Sequence, residues 1–311
     1  MILQIVLLLT GLALIIFGAD FLVDGSSAIA RRAGISEFVI GLTIVGFGTS
    51  CPELVVSLTG ALQGNADISV GNVVGSNIFN TLLILGMTAV IAPVAVTRAN
   101  SRRDIPITLL VTFLFVALGL TGQRITRWEG VAFLLVFVAY MVYCFKSDAG
   151  AQEEEAGAKV RSLGLAILMV AGGLAGLIFG GQLFVNNATA IARAVGVSDK
   201  FIAITLLAGG TSFPELATCI VAAAKKKDQL ALGNVLGSNV FNILLILGAS
   251  SVVTPLSTVA LTWADLGVLL GSAVMVWLWT YTGRKTHIDR WEAILMLLAF
   301  FGYYTWLFLK M

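Results

Sequence analysis

The chain is short of the residues on which most protein chemistry depends. Its 311 residues contain one histidine, three cysteines and five prolines. His287 stands in a basic stretch, and Cys51, Cys144 and Cys219 are scattered singly. Zinc, haem and Ser-His or Cys-His catalysis therefore lack their parts. The odd cysteine count builds no disulfide framework. Charge is scarce too: 12% of residues are charged, against about 25% in a soluble domain. The net charge of +2 says nothing for or against nucleic acid, but no basic patch interleaves with aromatics as a nucleic-acid binder requires.

What remains is apolar. Hydrophobic residues make up 58% of the chain, and the mean hydropathy is +0.98. A soluble core cannot absorb that much apolar sequence, so an all-α membrane protein is expected. Hydrophobic segments fall near 2–24, 37–62, 68–92, 105–122, 129–146, 163–185, 200–224, 229–254, 262–281 and 290–309. Most have the about 20 residues needed to cross a hydrocarbon layer. Ten transmembrane helices are therefore predicted. The N-terminal run lacks a basic flank and a small-residue cleavage site, and reads as the first retained span rather than a signal peptide.

The chain also contains itself twice. Residues 41–86 align with 203–248 at a constant shift of 162, with 21 of 46 positions identical. Phe17-Gly18 matches Phe179-Gly180, and Arg127-Trp128-Glu129 matches Arg290-Trp291-Glu292. Two units of five spans follow, at 1–146 and 163–311, joined by a polar linker over 147–162. An odd number of spans per unit inserts the second copy upside down, giving two inverted-topology repeats. With the N-terminus outside, the inner loops hold fourteen Lys and Arg and the outer side five. The positive-inside rule then puts both termini outside the cytoplasm and the linker within it.

The residues common to both copies are polar or helix-breaking. They include Gly48-Thr49-Ser50, Pro52-Glu53, Ser76-Asn77 and Asn80, with counterparts Gly210-Thr211-Ser212, Pro214-Glu215, Ser238-Asn239 and Asn242. Pro52 has no N–H and clashes with the carbonyl of Gly48, so a kink or unwound turn is predicted there. Freed carbonyls in lipid must line a cavity or bind something. Glu53 follows the break, and a mid-membrane carboxylate costs about 2.5–3.5 kcal/mol on insertion scales. Ser76 and Asn80, four residues apart, share a helical face. Two inverted units would bring Glu53, Glu215, Asn80, Asn242, the hydroxyls and the freed carbonyls to one centre. All of those ligands are oxygens, which suits hard cations such as Ca²⁺ and Na⁺. Glycine and proline alone more often mean packing and a kink, and hydroxyls alone back-bond to the helix. The duplicated glutamates are what outweigh that reading. Asp20 and Asp24, whose counterparts are Gln182 and Asn186, are open to a gating role or a plain interfacial one.

The segments GTSCPE…GNVVGSNIFN and GTSFPE…GNVLGSNVFN strongly resemble the α-repeats of the cation/calcium exchanger superfamily. The whole chain resembles its compact prokaryotic sodium/calcium exchangers. The resemblance implies a Ca²⁺ site around Glu53 and Glu215 with backbone oxygens of Thr49 and Thr211. It also implies Na⁺ sites using Thr49, Ser50, Ser76 and the Gly46 carbonyl in one half. The other half would use Thr211, Ser212, Ser238 and the Ala208 carbonyl. Asn80 and Asn242 would complete the centre. Some relatives carry an aspartate at one of the latter positions, where this chain has asparagine at both.

The function expected is a secondary antiporter, not an enzyme. It would exchange Ca²⁺ for Na⁺ by alternating access, with no cofactor and no obligatory protein partner. The alternatives are Ca²⁺/H⁺ exchange and K⁺-dependent Na⁺/Ca²⁺ exchange, since paired carboxylates also take protons. A channel fits poorly, because filters are usually symmetric rings around an axis. The Gly-rich first and sixth spans are candidate sliding gates. A prokaryotic inner membrane is the expected location.

Overall fold

The computed structural model describes residues 1–148, 162–196, 209–284 and 286–310. The first helix, α1 (Ile2–Ala33), runs well past the expected apolar segment. Hydropathy fades at Asp20 and Asp24, yet the backbone stays helical until Gly34, whose left-handed φ of 67° caps the end. The second segment is broken. It comprises α2 (Glu37–Ile40), a π-helical turn (Gly41–Val45), α3 (Gly46–Thr49) and α4 (Cys51–Leu62). The two sides of the break are bent by 48°. Pro52 lies in the first turn of α4, where its missing N–H is tolerated.

The third segment joins α5 (Ala66–Ile78), a π turn (Phe79–Ile84) and α6 (Leu85–Ile91). Then come strand β1 (Val94–Ala95), α7 (Ile105–Gly122), β2 (Arg124–Ile125) and α8 (Arg127–Asp148). Most of the expected linker lies outside the described residues.

The second repeat opens with α9 (Leu163–Ala194), as long as α1. The start of the next expected span lies outside the described residues, and α10 (Phe213–Ala224) forms its remainder. α11 (Asp228–Val240), a π turn (Phe241–Leu247) and α12 (Gly248–Val253) repeat the third segment. β3 (Leu256–Ser257), α13 (Trp263–Trp279), β4 (His287–Ile288) and α14 (Arg290–Lys310) complete the chain. Among the described residues, seven helices are long and apolar enough to cross a membrane, and the bent pair makes an eighth. α10 and α13 are shorter apolar helices at the places of two further expected spans.

The repeats are interlocked rather than side by side. β1 pairs antiparallel with β4, and β2 with β3, so each pair takes one strand from either repeat. These strands were not expected from the sequence; two residues leave no readable alternation. The most buried element is α11, packed through Gly233 and Gly237 onto the backbone of Phe38 and Leu42. The equivalent helices α1 and α9 run antiparallel and touch backbone to backbone. A Cβ on Gly18 would lie 2.8 Å from the Gly173 carbonyl oxygen, and one on Gly11 2.8 Å from that of Gly180. Without side chains at those seven-residue intervals, the pair forms a smooth seam.

Candidate ion-binding site

The break of the first repeat and the start of α10 meet through their serines and glutamates. Glu53 and Glu215 are each 1% exposed. The contacts are reciprocal: Ser50 Oγ donates to Glu215 Oε1 at 2.9 Å, and Ser212 Oγ donates to Glu53 Oε1 at 3.1 Å. Each serine stands just before the helix that carries its own glutamate. Each carboxylate is thus held by the opposite repeat and sits in the first turn of a helix, where the helix dipole favours negative charge.

The second oxygen of each carboxylate, Glu53 Oε2 and Glu215 Oε2, is buried with no hydrogen-bond partner among the described residues. The same holds for both ends of the Asn80 amide and for Asn242 Oδ1. An unpartnered buried polar atom costs about 1–3 kcal/mol, so five on duplicated motif residues mark groups kept for something else. No Lys, Arg or His forms an ion pair with either glutamate among the described residues. Two carboxylates without a basic ion-pair partner, each held by a serine hydroxyl, are chemically matched to a hard cation.

Of the remaining expected residues, Thr49 and Ser238 both approach the Gly46 carbonyl. Thr49 is fully buried; its hydroxyl lies 3.0 Å from the Val45 carbonyl, 3.4 Å from that of Gly46 and 3.1 Å from Asn234 Oδ1. Ser238 Oγ lies 3.5 Å from the Gly46 carbonyl. That contact crosses the repeats, whereas the expectation grouped Ser238 with Thr211 and Ser212. The α11 helix packs onto the first repeat's broken segment, so its hydroxyl faces the Gly46 break. Ser76 is buried, and Ala208 lies outside the described residues.

Thr211 is only half-buried. With Gly210 it lines a cavity of about 340 Å³, together with Cys51 and Pro52 of α4 and Gln182 and Asn186 of α9. The equivalent residues of the first repeat, Gly48 and Thr49, are buried. Leu174 of α9 sits over Gly48, within 2.6 Å of where a Cβ there would stand.

Two further residues were not singled out from the sequence. Asn72 Nδ2 donates to the Glu53 carbonyl at 3.3 Å and to Ser57 Oγ at 3.0 Å, bracing the helix after the break. Its counterpart Asn234 contacts Thr49 and donates to Cys219 Sγ at 3.3 Å. Their identity in both copies, inside the duplicated Gly-Asn-Val, was the available signal.

The family model described as sodium/calcium exchanger protein matches twice, over residues 3–146 and 165–309. The chain belongs to the sodium/calcium exchanger family. It is a transporter rather than an enzyme, and Ca²⁺ and Na⁺ are its cargo, not cofactors. CaxA of Alkalimonas amylolytica is 40% identical, with 99% of each chain covered. The sodium/calcium exchanger MaX1 of Methanosarcina acetivorans is 31% identical, with 97% of each covered. A solved structure of the sodium-calcium exchanger NCX_Mj, soaked with Na⁺ and Ca²⁺, aligns over 97% of both chains with a TM-score of 0.85 and 32% identity.

Proposed function

We propose that this exchanger drives Ca²⁺ across the membrane against Na⁺ by alternating access around one site built on Glu53 and Glu215. The reading rests chiefly on one observation. Each carboxylate is anchored by one oxygen to the other repeat's serine, while its second oxygen is left without a protein partner. Two such oxygens match the charge of one Ca²⁺. Asn80, Asn242 and backbone oxygens of Thr49 and Thr211 would add to its shell. Sodium would use the Gly46 carbonyl with Thr49, Ser50 and Ser238, and the corresponding set of Thr211, Ser212, Ser76 and the Ala208 carbonyl. Because both ions need the same carboxylates, they compete. Without either, two like charges buried together are unstable, so the site crosses the membrane only when occupied.

The proposed topology has ten spans in two inverted repeats, with both termini extracytoplasmic in a prokaryotic inner membrane. In that orientation the cavity beside Thr211 opens outward, and the α1–α9 pair is the element that slides. The test is Ca²⁺ uptake into proteoliposomes under a Na⁺ gradient alone, a pH gradient alone or a Na⁺ gradient with K⁺ added. Uptake driven by Na⁺ alone is expected. Uptake driven only by the pH gradient would replace Na⁺ with H⁺ as the counter-ion, and a requirement for K⁺ would add it to the cargo.

A further inference from the structure

The duplicated Asn77 and Asn239 belong to the motif but have no part in the ion shell proposed above. Their contacts are unlike each other. Asn77 Nδ2 donates to the backbone carbonyl of Asn239 at 3.2 Å, and Asn77 Oδ1 accepts from Asn242 Nδ2 at 2.8 Å. The order of these bonds is forced by chemistry. A backbone carbonyl can only accept, so Asn77 must turn its amide nitrogen toward Asn239. Its oxygen then faces Asn242, which must answer with its own nitrogen. Asn242 Oδ1 is thereby turned away from Asn77, and it is buried without a partner.

The same relation fails in the other copy. Repeat symmetry would have Asn239 hold Asn80 in the same way. Instead Asn239 Nδ2 donates to Thr81 Oγ1 at 2.8 Å. The position equivalent to Thr81 is Ile243, which has no hydroxyl to draw Asn77 away. Both ends of the Asn80 amide are left without a partner, although Asn80 is buried. One central asparagine is therefore fixed by the other repeat, and the other has no hydrogen bond to fix it among the described residues.

We propose that Asn77 is a positioning residue that holds the Asn242 carboxamide with its oxygen, never its nitrogen, toward the transported cation. The inference rests on the site reading given under Proposed function. An amide has one end a cation accepts and one it repels, so a carboxamide free to rotate spends part of its time in the wrong pose. Fixing it in advance removes that cost from binding. Asn77 touches no ion in this scheme and acts only through Asn242. Asn80, unfixed, has to turn its oxygen toward the cation when one binds.

The test uses the full-length protein in Na⁺-loaded proteoliposomes, with the Ca²⁺ dependence of uptake separated into KM and Vmax. Asn77→Leu removes both hydrogen bonds, and KM is expected to rise about tenfold, the effect of one lost buried hydrogen bond. Vmax is expected to change less than about twofold, because the gate and the carboxylates are untouched. The decisive comparison repeats Asn77→Leu in an Asn242→Asp background. Both ends of that side chain are oxygen, so its orientation no longer matters. The rise in KM is expected to be absent there, the change being less than about twofold or reversed in sign, because an aspartate has no nitrogen to donate to Asn77 Oδ1. An equal rise in both backgrounds would reduce Asn77 to a packing residue and overturn the proposal, as would an unchanged KM in the parent protein. Should Asn77→Leu fail to fold, Asn77→Ala removes the same bonds with less change in shape and is read the same way. Glu53→Gln in the same assay separates the two layers. If it leaves uptake intact, the ion site itself is misassigned and the role of Asn77 falls with it. If it abolishes uptake while Asn77→Leu does nothing, only the positioning role is lost.

Discussion

The protein treats the two sides of its buried carboxylates differently, although the two repeats are built alike. On one side, Gly210 and Thr211 face a cavity flanked by Gln182 and Asn186. On the other, Leu174 covers Gly48, and Lys225 Nζ binds Asp20 and Asp24 at 2.6 Å each. These are corresponding positions. Asp20, Asp24 and Lys225 align with Gln182, Asn186 and Gln63 at the shift of 162. Charges stand on the closed side and neutral amides on the open side. Duplication thus supplied a symmetric frame, and divergence at the two mouths supplied a difference in how firmly each is shut. The carboxylate pair kept its symmetry, because each carboxylate is held by the other repeat's serine.

If the two carboxylates are equivalent, removing either charge must do equal harm. Glu53→Gln and Glu215→Gln are each expected to abolish Ca²⁺ uptake in proteoliposomes while leaving the purified protein folded and monodisperse. A glutamine keeps the shape and an acceptor oxygen but removes half the charge that offsets a divalent ion. Normal uptake by either variant would break the equivalence and, with it, the shared site.

The seam between α1 and α9 offers a sharper contrast within two adjacent residues. A Cβ on Gly173 would meet the Gly18 carbonyl oxygen and the Leu22 nitrogen at 2.7 Å, and backbone cannot swing aside. A Cβ on Gly172 meets nothing within 4 Å. Gly173→Val is expected to cost about 1–3 kcal/mol of stability by overpacking. It is also expected to cut the exchange rate at least about tenfold, since about 1.4 kcal/mol on a barrier is tenfold. Gly172→Val should leave both near the parent values. Thermal unfolding and exchange rate are measured on both variants. Equal effects would mean that the seam neither packs nor moves as described.

Much of this was legible in the chain, and the reasons are physical. The duplicated glutamates show because a carboxylate in lipid is too costly to persist without use. The break shows because proline removes a specific hydrogen bond, and the chain does bend there, at Ser50. The π turns at Asn80 and Asn242 do not show. They need one extra residue per turn and no particular composition, though such turns gather at functional sites. Nor does the pairing of Ser238 with Gly46, because sequence groups residues by repeat while interlocked helices group them across repeats. Asp20 and Asp24 could be seen as unusual but not as joined to Lys225, some 200 positions away, since distance along the chain carries no record of that contact.

The smallest expected effect concerns that ion pair. Burial works against the Lys225 charge, but hydrogen bonds to Asp20 and Asp24 hold its pKa above the ordinary lysine value. A raised lysine pKa means the link is present at neutral pH and is lost only as the solution becomes strongly alkaline. All three side chains are partly open to solvent, so the pair contributes about 0.2–1 kcal/mol, a population shift of at most about fivefold. Its removal should therefore tilt the balance between the two faces rather than stop transport. Cys51 is a built-in reporter, because it lines the open cavity while Cys144 and Cys219 are buried. Lys225→Gln is expected to slow modification of Cys51 by a small, membrane-impermeant thiol reagent by up to about fivefold. The cause would be that molecules with the opposite side released spend less time with this cavity open. A rate unchanged by Lys225→Gln would mean that the charged mouth is no tighter than the neutral one. The difference between the two sides would then lie in Leu174 and its packing over Gly48 alone.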